Sequence, residues 1–509
     1  MEYELGLAAL TFFFLLASLF CYSWIVVLGN SKTGTKPPLP PGPYGLPILG
    51  YLPFLKHNLH HQFTQLSRQY GPIYRLWLGS KLCVVVSSPS LIKQIVRDQD
   101  SIFANRDPPV AALVATGGYD IVWTANGPYW RDIRKLFVRE MMSNTNLQAS
   151  NVFRTEEVRK LIGNLDTQIG SPVQIGELIF LTELHVLMSL LWGGEMDPTK
   201  RSRLGDKFRV HISKLVDLLG KPNVSDFFPV LARFDLQGIA KEMRGVVVEV
   251  ERILDCFIDA KVKSMAAGGG MEGEERSKDF MGILLELKDK QLGEGSTFGL
   301  TQIKAILMDI VAGGSDTTAT MVEWVMTELL HNPSIMQKVQ QEVTNVVGAN
   351  NVVEESHVSK LHYLEAVVKE TFRLHPPLPL VVPRYPSESC PIGEHTIPKG
   401  SRVFLNMWSI HMDPHVWENP LIFQPERFLN DNSEKFDFIG NNVEYLPFGS
   451  GRRVCPGIPL AEKMVMYLLA TLVHTYEWGL PEGQKIDLSE KFGIVMRKET
   501  PLIAVPYHK

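Results

Sequence analysis

Phe448-Gly449-Ser450-Gly451-Arg452-Arg453-Val454-Cys455-Pro456-Gly457 is the stretch that decides how this chain is read. Three glycines and a proline around one cysteine exclude regular structure and let backbone amides come close to a sulfur atom. After Pro459 the apolar residues recur at helical spacing, with Leu460, Met464, Leu468 and Leu472 on one face. Cys455 therefore stands just ahead of a helix N-terminus, where amides and the helix dipole favour an anion, here a thiolate. A lone cysteine is more often an inert core residue, so the weight rests on what surrounds it.

Upstream, Leu300 to Leu330 contains no proline and carries apolar residues at helical spacing: Ile303, Leu307, Ile310, Val311, Val322, Val325 and Leu329. Asn332-Pro333 ends it. A rise of 1.5 Å per residue makes this helix roughly 45 Å long, so it runs through the core. It contains Gly313-Gly314-Ser315-Asp316-Thr317-Thr318. Paired glycines cost a buried helix about 1 kcal/mol each relative to alanine. Two reasons offset that cost: a flat ligand can approach the backbone, and a threonine hydroxyl can bond back into a loosened ladder. In Glu370-Thr371-Phe372-Arg373 the Glu and Arg share a helix face. Such pairs are mostly solvated, but Leu364, Val367 and Val368 surround this one and His375-Pro376-Pro377 ends its helix.

The spacing F-x-x-G-x-R-x-C-x-G, met by Phe448, Gly451, Arg453, Cys455 and Gly457, resembles the haem-binding signature of the cytochromes P450. Further elements of that family follow in order over nearly the whole chain. Trp130-Arg131-Asp132-Ile133-Arg134 resembles its W-x-x-x-R helix, the Gly313–Thr318 segment its A/G-G-x-D/E-T-T motif, and Glu370–Arg373 its E-x-x-R. Phe423-Gln424-Pro425-Glu426-Arg427-Phe428 resembles its P-E-R-F element. The resemblance implies a mainly α fold with small β-sheets, the cytochrome P450 fold, and haem b (iron protoporphyrin IX) ligated by Cys455. Phe448, Gly451 and Gly457 shape the cysteine loop, and Trp130, Arg134, Arg384 and Arg453 hold the propionates. Glu370, Arg373 and Arg427 brace the loop as structural residues. Asp316 and Thr317 become an acid–alcohol pair, Thr317 acting at the bound oxygen and Asp316 relaying protons from solvent.

The implied chemistry is insertion of one atom of O2, with NADPH as electron source through a separate NADPH–cytochrome P450 reductase, since no flavin- or NADPH-binding segment is visible. Arg131, Lys135, Arg139, Arg452 and Lys463 are candidates for steering that acidic partner. Family topology points to Leu113, Val114, Tyr119, Ile121, Gly313, Leu380 and Ile494 as pocket residues. These are mostly apolar, so the substrate is expected to be small and lipophilic. Phe227-Phe228-Pro229 and Asp235-Leu236-Gln237-Gly238 resemble members from plant specialised metabolism, which oxidise terpenoids, flavonoids and other phenolics. Two rival readings are a haem sensor or electron carrier and a haem-thiolate isomerase or dehydratase. The first needs no proton-relay pair, and the second often alters the acid–alcohol motif, intact here.

Outward again, Leu5 to Leu28 is uncharged and apolar, long enough for a bilayer, which takes about 20 residues. Glu2 and Glu4 precede it and Lys32 and Lys36 follow. This order predicts an uncleaved anchor in the endoplasmic reticulum membrane with a cytosolic body; a cleaved signal is the alternative. Pro37-Pro38-Leu39-Pro40-Pro41-Gly42-Pro43 reads as a stiff spacer, or less aptly as a ligand for an SH3 domain. The expected organisation is an anchor over 1–29, a proline-rich hinge over 30–44 and a catalytic domain over 45–509. Residues 73–86 read as a hairpin turning at Gly79, and the stretch around Gly268-Gly269-Gly270 as a surface loop. Fifty-one basic against 55 acidic residues leave no electrostatic footprint for nucleic acid. The five cysteines, Cys21, Cys83, Cys256, Cys390 and Cys455, are scattered and odd in number, which argues against a zinc pair or a disulfide framework.

Overall fold

The computed structural model describes residues 11–14, 16–18, 20, 37–193, 198–267, 279–288, 298–429 and 435–509. The expected anchor over 1–29 and the triple-glycine segment lie almost wholly outside these residues; the few described anchor positions are helical. The elements that build the site are, in chain order, α1 (Leu59–Tyr70), β1 (Ile73–Leu78), β2 (Lys81–Val86), α2 (Val110–Thr116), α3 (Pro128–Glu140), α4 (Ile175–Trp192), α5 (Pro198–Gly220) and α6 (Ile239–Ala267). They continue with α7 (Leu300–His331), α8 (His362–Leu374), β3 (Arg402–Leu405), α9 (Ile458–Thr475), β4 (Glu490–Lys491) and β5 (Arg497–Lys498). The molecule is mostly helical with small sheets.

The hairpin forms where its valines and its glycine predict. Ile73 pairs with Val86 and Leu78 with Lys81, and Gly79 turns the chain at φ +58°. β2 pairs in parallel with β3, Cys83 opposite Arg402 and Val86 opposite Leu405. Val84, Val85 and Val86 are fully buried, as suits β-branched residues covered on both faces of a sheet.

Helix α7 is 32 residues long, about 48 Å at 1.5 Å per residue. Ile303, Leu307, Val311, Val322, Val325 and Leu329 are fully buried along it. It packs on α4 and crosses α9. The two glycines have different reasons. A Cβ on Gly314 would stand 2.8 Å from Leu187 Cδ1, so this glycine lets α4 come close. At Gly313 no heavy atom lies within 4 Å of where a Cβ would stand, and the residue is exposed in mid-helix. Among the described residues one helix, α4, is long and apolar enough to cross a membrane, and it is buried here as a core helix.

The proline run differs from a free spacer. Prolines lack amide donors, but their carbonyls accept. Pro37 O takes Thr396 Oγ1 at 2.7 Å, Pro38 O takes Thr396 N at 2.8 Å, and Pro41 O takes Arg75 N at 2.7 Å. The described part of the hinge is thus docked against two sheets, through Arg75 of β1 and Thr396 of a separate two-stranded sheet.

Candidate active site

The cysteine loop is built by its glycines. Gly449 (φ +74°) and Gly451 (φ +70°) adopt left-handed conformations, which cost other residues free energy. A Cβ on Gly451 would also fall 2.4 Å from Val96 O. The loop closes when Val454 N donates to Gly451 O and Cys455 N to Phe448 O, both at 3.0 Å. α9 starts at Ile458, one residue before Pro459, where a missing N–H is tolerated. Burial pushes the Cys455 thiol up, while the amides of Gly457 and Ile458 and the Arg134 guanidinium pull it back down. Gly457 has only ordinary contact to make: its Cβ would sit 3.8 Å from Cys455 Sγ. The Phe448 ring lies 5.1 Å from Phe372 and 5.6 Å from Phe438, which ties the loop to α8.

Behind that ring, Arg373 holds Glu370 with two bonds, Nε at 2.7 Å and Nη2 at 2.8 Å, and both side chains are fully buried. The remaining valences are filled. Arg373 Nη1 donates to His411 O and Pro420 O, each at 2.7 Å. Gln424 N donates to Glu370 Oε1 at 2.9 Å, and Arg427 Nε approaches it at 3.3 Å. A buried pair this completely hydrogen-bonded is the form in which attraction offsets desolvation. Burial, helped by the same guanidinium, pushes His411 down to about 3.

On the other side of the loop stand four guanidiniums. Arg453 lies 3.9 Å over the Trp130 ring and Arg134 5.5 Å from it. Trp130 Nε1 donates to Ile121 O at 2.9 Å. Arg453 donates to Ala104 O, Ile121 O and Thr124 O, and Arg134 to Val454 O. Arg384 is buried rather than superficial, with Nη2 donating to Ser450 O at 2.7 Å. Its Nη1 has no hydrogen-bond partner among the described residues, and Asp100 is 3.7 Å away. Arg106, which no motif marked, donates to Val122 O, Val382 O and Pro383 O. Burial and mutual repulsion hold Arg384 down to about 10 and Arg453 down to about 9. Cations crowded below their usual values, one with an orphaned N–H, call for added negative charge.

The third part is a bare stripe on α7. Asp309, Gly313 and Thr317 follow one another at i, i+4 and i+8, on one face, and none is fully buried, whereas Ile310, Val311, Ser315 and Thr318 are. Thr317 Oγ1 donates to Gly313 O at 2.7 Å, the back-bond the glycine pair allows. Asp316 has a partner that no motif marked. It is buried away from solvent, and its Oδ1 accepts from Arg497 Nη2 at 2.7 Å. Arg497 also pairs at 2.9 Å with Asp217 of α5, which is exposed. Arg497 on β5 thus links Asp316 to an exposed carboxylate. Burial raises Asp316 above the usual carboxyl range, and Arg497 opposes it. Asp309, also unforeseen, accepts from Ile121 N at 3.0 Å. Although its surface is partly exposed, the protein atoms packed around it strip its hydration, and with the nearby Asp120 carboxylate this pushes it well above the carboxylate range.

The expected pocket residues are not all alike. Val114 and Ile494 are partly buried against the main core. Tyr119 rests edge-on to Tyr129 at 5.9 Å. Leu113 is 46% exposed. Leu380 is packed in the cluster around β1 and β2. Ile121 is buried, and it is its backbone that the site uses. Of the candidate docking cations, Arg131 and Lys135 are exposed and Lys463 partly so. Arg139 is paired with Glu140 and Arg452 with Asp100, which reduces their pull on a partner.

Between the stripe and the cysteine loop these residues suit a flat, dianionic porphyrin. The thiol supplies a ligand, the bare Gly313 backbone a surface, and the guanidiniums a seat for two carboxylates. That is the arrangement of a haem-thiolate protein. The chain belongs to the cytochrome P450 family, whose model matches residues 40–505, and it is a monooxygenase of that family. It is 39% identical to a flavonoid 3'-monooxygenase of Crocosmia x crocosmiiflora, over 98% of each chain. It is 34% identical to carnosic acid synthase of Salvia pomifera (97% of this chain, 98% of that one) and 35% identical to ferruginol synthase of Isodon rubescens, with the same coverage. A zebra fish cytochrome P450 solved with progesterone superposes with a TM-score of 0.75 at 26% identity, covering 88% of this chain and 99% of that one.

Proposed function

We propose that this enzyme hydroxylates a small lipophilic plant metabolite, a terpenoid or a flavonoid, with electrons from NADPH–cytochrome P450 reductase. The observation that carries this reading is the Asp309–Gly313–Thr317 stripe, left uncovered on a core helix and near enough to Cys455 for the Asp309 carboxylate to act on its thiol. The names of the relatives, which span flavonoid, carnosic acid and ferruginol, support the substrate class. Haem b, when bound through Cys455, supplies the dioxygen chemistry. Trp130, Arg134, Arg384 and Arg453, joined by Arg106, seat its carboxylates. Glu370, Arg373 and Arg427 keep the loop in place. The apolar N-terminus and the lysines after it support an anchor in the endoplasmic reticulum membrane with the body in the cytosol. The test is a substrate-binding spectral titration of the reductase-coupled enzyme across terpenoids and flavonoids, followed by product analysis. Absence of NADPH-dependent product from every spectrally bound ligand would overturn it.

Thr317 holds a proton at its hydroxyl, and Asp316 with Arg497 replenishes it. Thr317→Ala is expected to keep consuming NADPH while product per NADPH falls by roughly tenfold or more and hydrogen peroxide rises. Asp316→Asn is expected to slow turnover itself. Measuring NADPH, product and peroxide together checks both; unchanged coupling in Thr317→Ala would leave Gly313 and Gly314 as the motif's whole role.

A further inference from the structure

We propose that His60, His61 and Glu490 form a divalent-cation site of the zinc class, at the junction between α1 and the chain entering the Phe492–Val495 segment. His60 Nε2 lies 3.3 Å and His61 Nε2 3.8 Å from Glu490 Oε2. All three donor atoms lie within 4.8 Å of one another. In a tetrahedral zinc site with bonds of about 2.0–2.1 Å, neighbouring ligand atoms stand about 3.3 Å apart, so little movement is needed. Two imidazoles and one carboxylate are a donor set zinc accepts, with water as a fourth ligand. His61 is 41% exposed, which gives an ion access, while His60 is fully buried. His60 Nδ1 has no hydrogen-bond partner among the described residues, so Nε2 is the nitrogen it offers here.

The surroundings hold the donors in place. The other Glu490 oxygen is 3.2 Å from His375 Nδ1, and His375 Nε2 is 2.8 Å from Glu328 Oε1. The His375 ring stacks flat on Trp324 at 3.8 Å. Chains of this kind, in which outer groups orient a ligand, raise metal affinity. Trp408 packs beside both histidine rings, and Phe492 stacks on His60 at 5.4 Å. Metal binding needs all three donors deprotonated. A bound ion would pin Phe492 to α1, and with it the chain running on to Ile494.

The experiment uses the haem-loaded full chain carrying Cys256→Ser, which removes the exposed thiol, dialysed against zinc chloride alone and then analysed for zinc per haem. The expected result is one more equivalent of zinc than in the same protein with His61→Ala. The half-exposed imidazole is the ligand least needed for folding, so that variant stays interpretable. At a zinc concentration about a hundredfold above Kd, the unfolding midpoint of the parent should rise by about 2 °C, and that of His61→Ala should not. Glu490→Gln should lose the equivalent as well. Equal zinc in the parent and in His61→Ala, or no zinc-dependent rise in the parent, overturns the site.

Discussion

Cys455→Ala abolishes the absorption band that marks a thiolate-ligated haem in the reduced carbon monoxide complex, and monooxygenase turnover with it: this is the expected result. The loss should be complete, because no other described cysteine can stand in. Cys83 is sealed in the β1–β2–β3 sheet, where burial pushes its thiol up to about 12. Cys390 is buried on a separate short strand, and Cys256 is exposed on α6. None shares the loop whose amides at Gly457 and Ile458 favour a thiolate. Alanine at 83, 256 or 390 should therefore leave the band intact. A retained band in Cys455→Ala, measured on protein of normal haem content, would remove Cys455 from the iron.

The second large effect is expected from Arg373→Met. The methionine fills the volume but leaves Glu370 with its charge buried and Arg427 as the nearest cation, at 3.3 Å. Breaking a buried pair from one side costs about 3–5 kcal/mol, a large part of the stability a domain has. Haem-loaded protein should fall to trace yield, and the denaturation midpoint of whatever folds should drop sharply. Arg373→Lys should rescue poorly, since a lysine cannot reproduce the paired bonds to Glu370 together with those to His411 O and Pro420 O. Near-normal stability in Arg373→Lys would show that charge alone suffices and that the bond pattern does not matter.

Where a motif is local, the sequence is a good guide to the site. The cysteine loop, the α7 glycine pair, the hairpin and the one-turn spacing of Glu370 and Arg373 all depend on neighbours in the chain, so periodicity and glycine punctuation reach them. What escapes is set by tertiary contact. Arg497 meets Asp316 from 181 residues away, and nothing near Met496-Arg497-Lys498 announces it. Arg106 is one more arginine until Arg384 and Arg453 crowd it. Gly314 looks like a ligand glycine until Leu187 is seen against it. Asp309 could have been suspected, as an acid four residues before Gly313 in an apolar helix. The pocket is least legible, because an apolar residue such as Leu380 packs as readily into a sheet cluster as around a substrate.

The docked proline run has a consequence for how the protein meets its electron donor. With an anchor that ends near residue 29, as proposed, and Pro37 already fastened to the body, the length of residues 30–36 caps the distance between the two. Fully extended at 3.3–3.6 Å each, they reach roughly 25 Å. Under that proposal the body would stay close to the membrane plane, and a reductase in the same bilayer would find it by a search in two dimensions rather than three.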